Sequence, residues 1–121
     1  MKEIRHGEIY SADFGVGVGS EQAGCRPVLI LQNDTGNKHS PTTIVAAIIS
    51  RKTKAPPPTH VKITAEGLKT ESTVLLEQIR TIDKERLGEA IGRLDKKTLG
   101  KIDHAIVVSL GIQYLEGLLN G

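Results

Sequence analysis

Short apolar stretches, each fenced by polar or turn-forming residues, dominate the first two thirds of the chain. Glu8 to Phe14 (EIYSADF) sets Tyr10, Ala12 and Phe14 to one side, with Glu8, Ser11 and Asp13 supplying polarity, and so predicts a first strand. Pro27 to Gln32 (PVLILQ) is a continuous apolar run headed by a proline, which a strand tolerates at its first position. The segment NDTGNKHSP punctuates it. Thr42 to Ser50 (TTIVAAIIS), rich in β-branched residues, predicts a third strand, and Thr59 to Thr64 (THVKIT) a fourth in which Val61 and Ile63 alternate with polar positions. Ser72 to Ile82 (STVLLEQIRTI) reads as a fifth, mostly buried strand.

The last forty or so residues change period. Asp83 is placed to cap a short turn, KERL, that Gly88 closes, and AIGRL (Ala90 to Leu94) predicts one more short strand. Asp95 then caps a helix. From Lys96 onward Leu99, Ile102, Ile106 and Leu110 recur at spacings of three and four, one apolar stripe to pack on the sheet, with Lys97, Lys101 and His104 outside it. Gly111 or Gly117 would end the helix. The predicted class is α+β: a small, partly open antiparallel β-barrel with a C-terminal α-helix.

Gly15, Gly17, Gly19 and Gly24 make a loop of about ten residues between the first two strands, longer than a hairpin needs, and long loops in compact domains are usually functional. At 121 residues the chain has room for one core, so residues 1–121 are expected to form a single domain. An apolar share of 38% with 25% charged residues fits a globular chain, and runs such as Ile44 to Ile49 are too short to span a bilayer. No membrane contact is expected. The N-terminus lacks an apolar signal core and the single Cys25 has no partner for an internal disulfide, which makes a cytoplasmic location the expectation and Cys25 a small semi-apolar filler.

Net charge is only +2, but its distribution is uneven. Arg51, Lys52, Lys54, His60 and Lys62 crowd one stretch broken by Pro56, Pro57 and Pro58, a local basic ridge. Such a ridge either follows phosphates or is a solvated loop of charges. With 2% aromatic residues and no tryptophan, stacking platforms for single-stranded bases are poorly supplied, and base contacts would be mostly polar.

Familiar chemical motifs are missing. The glycines of GVGVGS lack the Gly-Lys-Ser/Thr of a P-loop, and they lead into a strand where a dinucleotide fingerprint would lead into a helix. His6, His39, His60 and His104 have no zinc-ligand spacing to Cys25 or to one another, and no GxSxG elbow marks a serine nucleophile. Polar groups at strand ends remain: Glu21, Gln22 and Arg26 around the glycine loop, Ser50 to Lys54 after the third strand, and Glu77, Gln78 and Arg80 in the fifth.

The segments carrying these groups, GSEQAGCRPVLILQND (Gly19 to Asp34), SPTTIVAAI (Ser40 to Ile48), PTHV (Pro58 to Val61) and LLEQIRTIDKERL (Leu75 to Leu87), resemble the MazF/PemK family of toxin endoribonucleases. The resemblance runs from Gly7 to about Leu110 in one register, and GSEQxGxRP is a specific signature. It implies an SH3-like barrel, a homodimer whose grooves hold single-stranded RNA, and an antitoxin with an acidic disordered tail that occupies the same groove. It also implies metal-independent cleavage of RNA by ribose 2′-hydroxyl attack, leaving a cyclic phosphate and a 5′-hydroxyl.

Within that resemblance Arg26 is the catalytic candidate. A planar guanidinium can hold two oxygens of a reacting phosphate where water is excluded, and Pro27 restricts the Arg26 backbone to an extended conformation that aims the side chain. The family usually carries Thr or Ser at the end of the third strand, where this chain has Ile49. Ser50 is next door, and it could supply the hydroxyl only if a bulge or the strand's end turns it round. Three readings stay open: a slow nuclease, a nuclease using Ser50, and an RNA-binding homologue that has lost cleavage. A toxin aimed at a protein target, as in the gyrase poisons of similar fold, is disfavoured by the glycine-loop signature. Gly19, Ser20, Glu21 and Gln22 of that loop, with Arg51, Lys52 and Lys54, are the RNA-binding candidates. Gln78 and Arg80 join them if regular alternation puts both on one face of the fifth strand, with Glu77 pointing away.

Overall fold

A computed structural model describes residues 3–19, 24–50 and 57–113. Six antiparallel strands, β1 (Glu8–Asp13), β2 (Cys25–Ile30), β3 (Thr42–Ile49), β4 (His60–Ile63), β5 (Ser72–Asp83) and β6 (Leu87–Arg93), form one sheet in the order β4-β5-β3-β2-β1-β6. A short helix, α1 (Asp34–His39), joins β2 to β3, and α2 (Lys96–Leu110) follows β6. This is the expected α+β architecture, a partly open SH3-like barrel with a C-terminal helix.

Both faces of the sheet are apolar. One carries Ile9, Leu29, Ala46, Ile48, Val61, Ile63 and Val74 and is covered by Ile102 and Ala105 of α2; the other gathers Tyr10, Ala12, Phe14, Val28, Ile30, Val45, Ala47 and Ile82. Burial on two sides is why the second and third strands read as unbroken apolar runs. It also corrects the first strand: Ile9 is as deeply buried as Tyr10, so β1 is not the one-sided strand that its alternation predicts.

The two edges of the sheet curl toward each other. A Cβ on Gly67, shortly after β4, would stand 1.8 Å from the carbonyl oxygen of Ile91 in β6, and one on Gly92 would stand 3.6 Å from the Cβ of Ala65. Register steps in the β1–β6 pairing, at Ile9/Tyr10 and Tyr10/Ala12, add the local twist that such a curl needs.

Three local expectations change. The segment read as punctuation after the second strand holds α1, whose N-cap Asn33 accepts from the Gly36 N–H at 2.8 Å. Its Asn37 is buried, accepts the Thr43 hydroxyl at 2.8 Å, donates to the Gln32 carbonyl at 2.8 Å, and offers its own carbonyl to Lys84. Local polar bonds hold that turn of helix, with one long-range bond from Lys84. Gly88 does not close a turn but lies within β6, where a Cβ would sit 2.3 Å from Ser11 Oγ, the acceptor for the Glu89 N–H. In α2, Leu110 is 60% exposed, so the stripe stops packing at Ile106 and Val107, a turn earlier than the spacing predicts.

The helix ends are as read. Asp95 Oδ1 accepts from the Thr98 N–H at 2.8 Å, and Gly111 ends the helix in the left-handed region at φ 63°. Hydrogen bonds from the Thr98 side chain and backbone hold the Asp95 carboxyl below its usual range, with Lys97 and Lys101 assisting. A depressed native pKa contributes stability that is present above the unfolded value and lost as pH falls through the folded one. Asp95→Ala is therefore expected to lower the melting temperature at neutral pH, by a margin that shrinks as pH drops below the carboxylate range. A pH-independent margin would show that the charge plays no part. Gly67→Ala has to push a methyl into backbone, and urea unfolding should show a loss of about 1–3 kcal/mol or more.

Candidate active site and cationic row

Arg26 stands at the second position of β2, exposed, opposite Ala12 of β1. Paired residues of adjacent strands point to the same face, so the neighbours of Arg26 can be followed across the sheet. The β2–β3 register pairs Val28 with Ala47, and carried two residues on it sets Arg26 opposite Ile49. Ile49 pairs with Thr73 of β5, and Thr73 pairs with Lys62 of β4. One row thus runs Ala12, Arg26, Ile49, Thr73, Lys62, with a cation near each end of a half-buried isoleucine and a buried threonine.

The glycine loop is pinned at its root. The Phe14 N–H donates to the Gly24 carbonyl at 3.0 Å and the Gly24 N–H to the Gly15 carbonyl at 2.8 Å, with Gly15, Gly19 and Gly24 all at positive φ. Only glycine adopts that backbone without strain. The root is thereby fixed two residues from Arg26. Ser20, Glu21 and Gln22 lie outside the described residues, as do Arg51, Lys52 and Lys54; Gly19 is described and exposed. Ser50 is exposed and falls one residue past the end of β3.

Regular alternation along β5, the premise for grouping Gln78 with Arg80, is interrupted. Ala46 pairs with Ile79 but Ala47 pairs with Leu75, so residues 76–78 are extra on the β5 side. The bulge is anchored on both flanks: the Leu76 N–H donates to the Thr59 carbonyl at 2.9 Å, and the Ser109 hydroxyl of α2 donates to the Leu76 carbonyl at 2.7 Å. Its Glu77 carboxylate meets His60 Nε2 at 2.6 Å. Arg80 resumes the ladder opposite Val45 and lays its guanidinium 4.8 Å from the centroid of Phe14, a cation–π contact that ties it to the root of the glycine loop.

One further correction concerns a chemistry-bearing side chain. Cys25 is exposed at the head of β2, opposite Asp13, and is no packing filler. Lys97, Lys101 and His104 lie outside the apolar stripe as read, exposed, and line a groove with Pro58, His60, Val61 and Lys62 of the β4 edge. Their spacing of four and three was the available signal.

The described residues thus form a small half-open barrel with an exposed arginine at the head of β2, beside the root of a glycine loop. Residues 5–110 match the model of the PemK-like, MazF-like toxins of type II toxin–antitoxin systems, and the chain belongs to that family. It is 51% identical over 111 residues to the endoribonuclease EndoA of Bacillus subtilis (strain 168), covering 90% of this chain and 96% of EndoA. Among solved structures it is similar to a mycobacterial endoribonuclease in complex with its cognate antitoxin, with a TM-score of 0.73, 27% identity, and coverage of 89% of this chain and 95% of that one. MazF (Form-I) from Deinococcus radiodurans shares the fold with a TM-score of 0.79 at 23% identity, over 92% of this chain and 99% of that one. Among the described residues no helix is long and apolar enough to cross a membrane.

The exposure of Cys25 is checked by alkylation of the native protein. Iodoacetamide is expected to label it at the rate of a free thiol without prior unfolding, whereas a packed filler would be protected until denaturant is added.

Proposed function

We propose that this chain is the toxin of a toxin–antitoxin pair and a metal-independent endoribonuclease acting on single-stranded RNA, with residues 1–121 working as one toxin domain. The observation that carries the reading is the place of Arg26: exposed, at the rigid head of β2, in the signature that aligns with the family. The 51% identity to a protein named as an endoribonuclease supports it.

In the reaction the ribose 2′-oxygen forms a bond to the adjacent phosphorus as its proton leaves, and the bond to the 5′-oxygen breaks as that oxygen gains a proton. The products are a 2′,3′-cyclic phosphate and a 5′-hydroxyl. Negative charge gathers on the non-bridging oxygens between these events, and the Arg26 guanidinium holds two of them. Arginine rests protonated at all working pH values, so it stabilises charge and passes a proton to the leaving oxygen that solvent then returns to it, while the 2′-hydroxyl proton goes to another group or to solvent.

Ile49 offers no hydroxyl to this site, and Ser50, exposed just past the strand's end where the ladder no longer fixes its direction, takes that role. Gly19, Ser20, Glu21, Gln22, Arg51, Lys52, Lys54, Gln78 and Arg80 contact the RNA. The active form is a homodimer in the cytoplasm, and an acidic tail of the antitoxin competes with RNA for the same groove; the mycobacterial relative was solved with its cognate antitoxin. Ile49 favours one second reading, an RNA-binding homologue that no longer cuts.

Incubation of the purified protein with a long RNA in EDTA separates the two. Cleavage to 5′-hydroxyl ends, lost in Arg26→Ala, is expected; tight binding without cuts establishes the second reading. Ser50→Ala should slow cleavage by roughly a hundred- to a thousandfold, the usual worth of one oxyanion donor, and Ile49→Thr should speed it. If neither change moves the rate, the second catalytic group lies elsewhere.

A further inference from the structure

Lys62 belongs to two features at once. It closes the row that begins at Arg26, and it lines the groove between the β4 edge and α2. That groove, of about 570 Å³, is bordered by His60 and Lys62 on the strand side and by Lys97, Lys101 and His104 on the helix side, over a floor of Pro58, Val61 and Gly100. Among the described residues no carboxylate lines it, and the Glu77 carboxylate is engaged with His60.

From this continuity we infer that the groove is a second RNA subsite, in which the phosphates of the strand flanking the cut are held after it crosses the sheet and passes over the β4 edge. The inference rests on the endoribonuclease reading above. Three inter-strand steps separate Arg26 from Lys62, about 14 Å at the usual strand spacing, so a single strand anchored at Arg26 reaches the groove within a few nucleotides. Beyond Lys62, Lys97 and Lys101 are one helical turn apart, their Cβ atoms about 5–6 Å from each other, and offer successive point charges along one direction. The described lining holds no aromatic ring, so bases are not stacked there and the contact reads backbone charge, independent of sequence. Charge alone would also suit an acidic peptide. The row from Arg26 favours RNA, because it offers a strand held at the reacting phosphate a direct path across the sheet to the groove.

Counterion release supplies the test. The Arg26→Ala protein, which leaves RNA intact, is titrated with a long single-stranded RNA at several salt concentrations, alone and with Lys97→Gln and Lys101→Gln added. Loss of two phosphate contacts should flatten the slope of log K against log salt by about 1.4, at about 0.7 per phosphate for single strands. The affinity loss should grow with RNA length. A control pair of equal charge, Lys38→Gln with Lys69→Gln, is exposed and away from the groove, and is expected to leave the slope unchanged. Melting curves confirm that all variants are folded. An unchanged slope in the groove variant, an equal flattening in the control, or lost affinity for a polyglutamate peptide with RNA binding intact would each overturn the subsite. Absence of RNA binding in the wild-type protein would instead overturn the reading on which it rests.

Discussion

The approach of Gly67 to the Ile91 carbonyl is the contact on which the rest of the barrel depends. A six-stranded sheet with apolar side chains on both faces leaves too much surface in water if it stays flat. Here α2 covers one part, and the curl that brings the end of β4 to β6 folds Ala65, Leu68 and Ile91 over the helix-side core. With 1.8 Å available for a Cβ, only a residue without one lets two backbones meet there. Closure also removes part of the exposed strand edge that an open sheet would offer to other chains.

That curl makes the bulge in β5 necessary. A single strand of twelve residues pairs with β4 and the end of β3 through residues 72–75 and with the start of β3 through residues 79–83, and three extra residues at 76–78 absorb the change of direction. The unpaired backbone this creates is satisfied from outside the β3 ladder, by Thr59 and by Ser109 of α2. Helix position and strand bend are therefore coupled through one carbonyl. Because α2 is fixed against β5 in this way, its exposed Lys97, Lys101 and His104 are held beside β4.

Much of the fold was legible because strand burial leaves a local mark. Runs such as PVLILQ and TTIVAAIIS, the caps at Asp83 and Asp95, and the stripe through Leu99, Ile102 and Ile106 each report their surroundings within a few residues. What escaped was non-local. Helix α1 offers its Asn37 carbonyl to Lys84, 47 residues on; Gly88 is demanded by Ser11 on another strand; the β5 bulge is demanded by sheet closure. Arg26 could be picked out because its glycines and proline are adjacent to it in the chain. Lys62 and the helix lysines could not be joined to it, since the row that links them crosses four strands drawn from separate parts of the sequence.

The row also explains why Ile49 is a tolerable residue at the centre of an anion-handling surface. An isoleucine carried opposite Arg26 and paired with Thr73 is half-buried and adds neither charge nor hydrogen-bond donor. A phosphate seated over it would displace water there and lower the local dielectric around an Arg26 that is exposed in the unbound chain. The substitution thus trades a donor for desolvation. A hydroxyl contributes mainly when charge develops on the oxygen it faces, whereas a dry apolar floor strengthens the Arg26 contact in the bound ground state and in the transition state alike. Uniform binding of that kind raises affinity without raising the rate of the chemical step. If the chain acts on RNA as proposed, Ile49 favours holding the strand over cutting it, and turnover then depends on a hydroxyl supplied from elsewhere, Ser50 first.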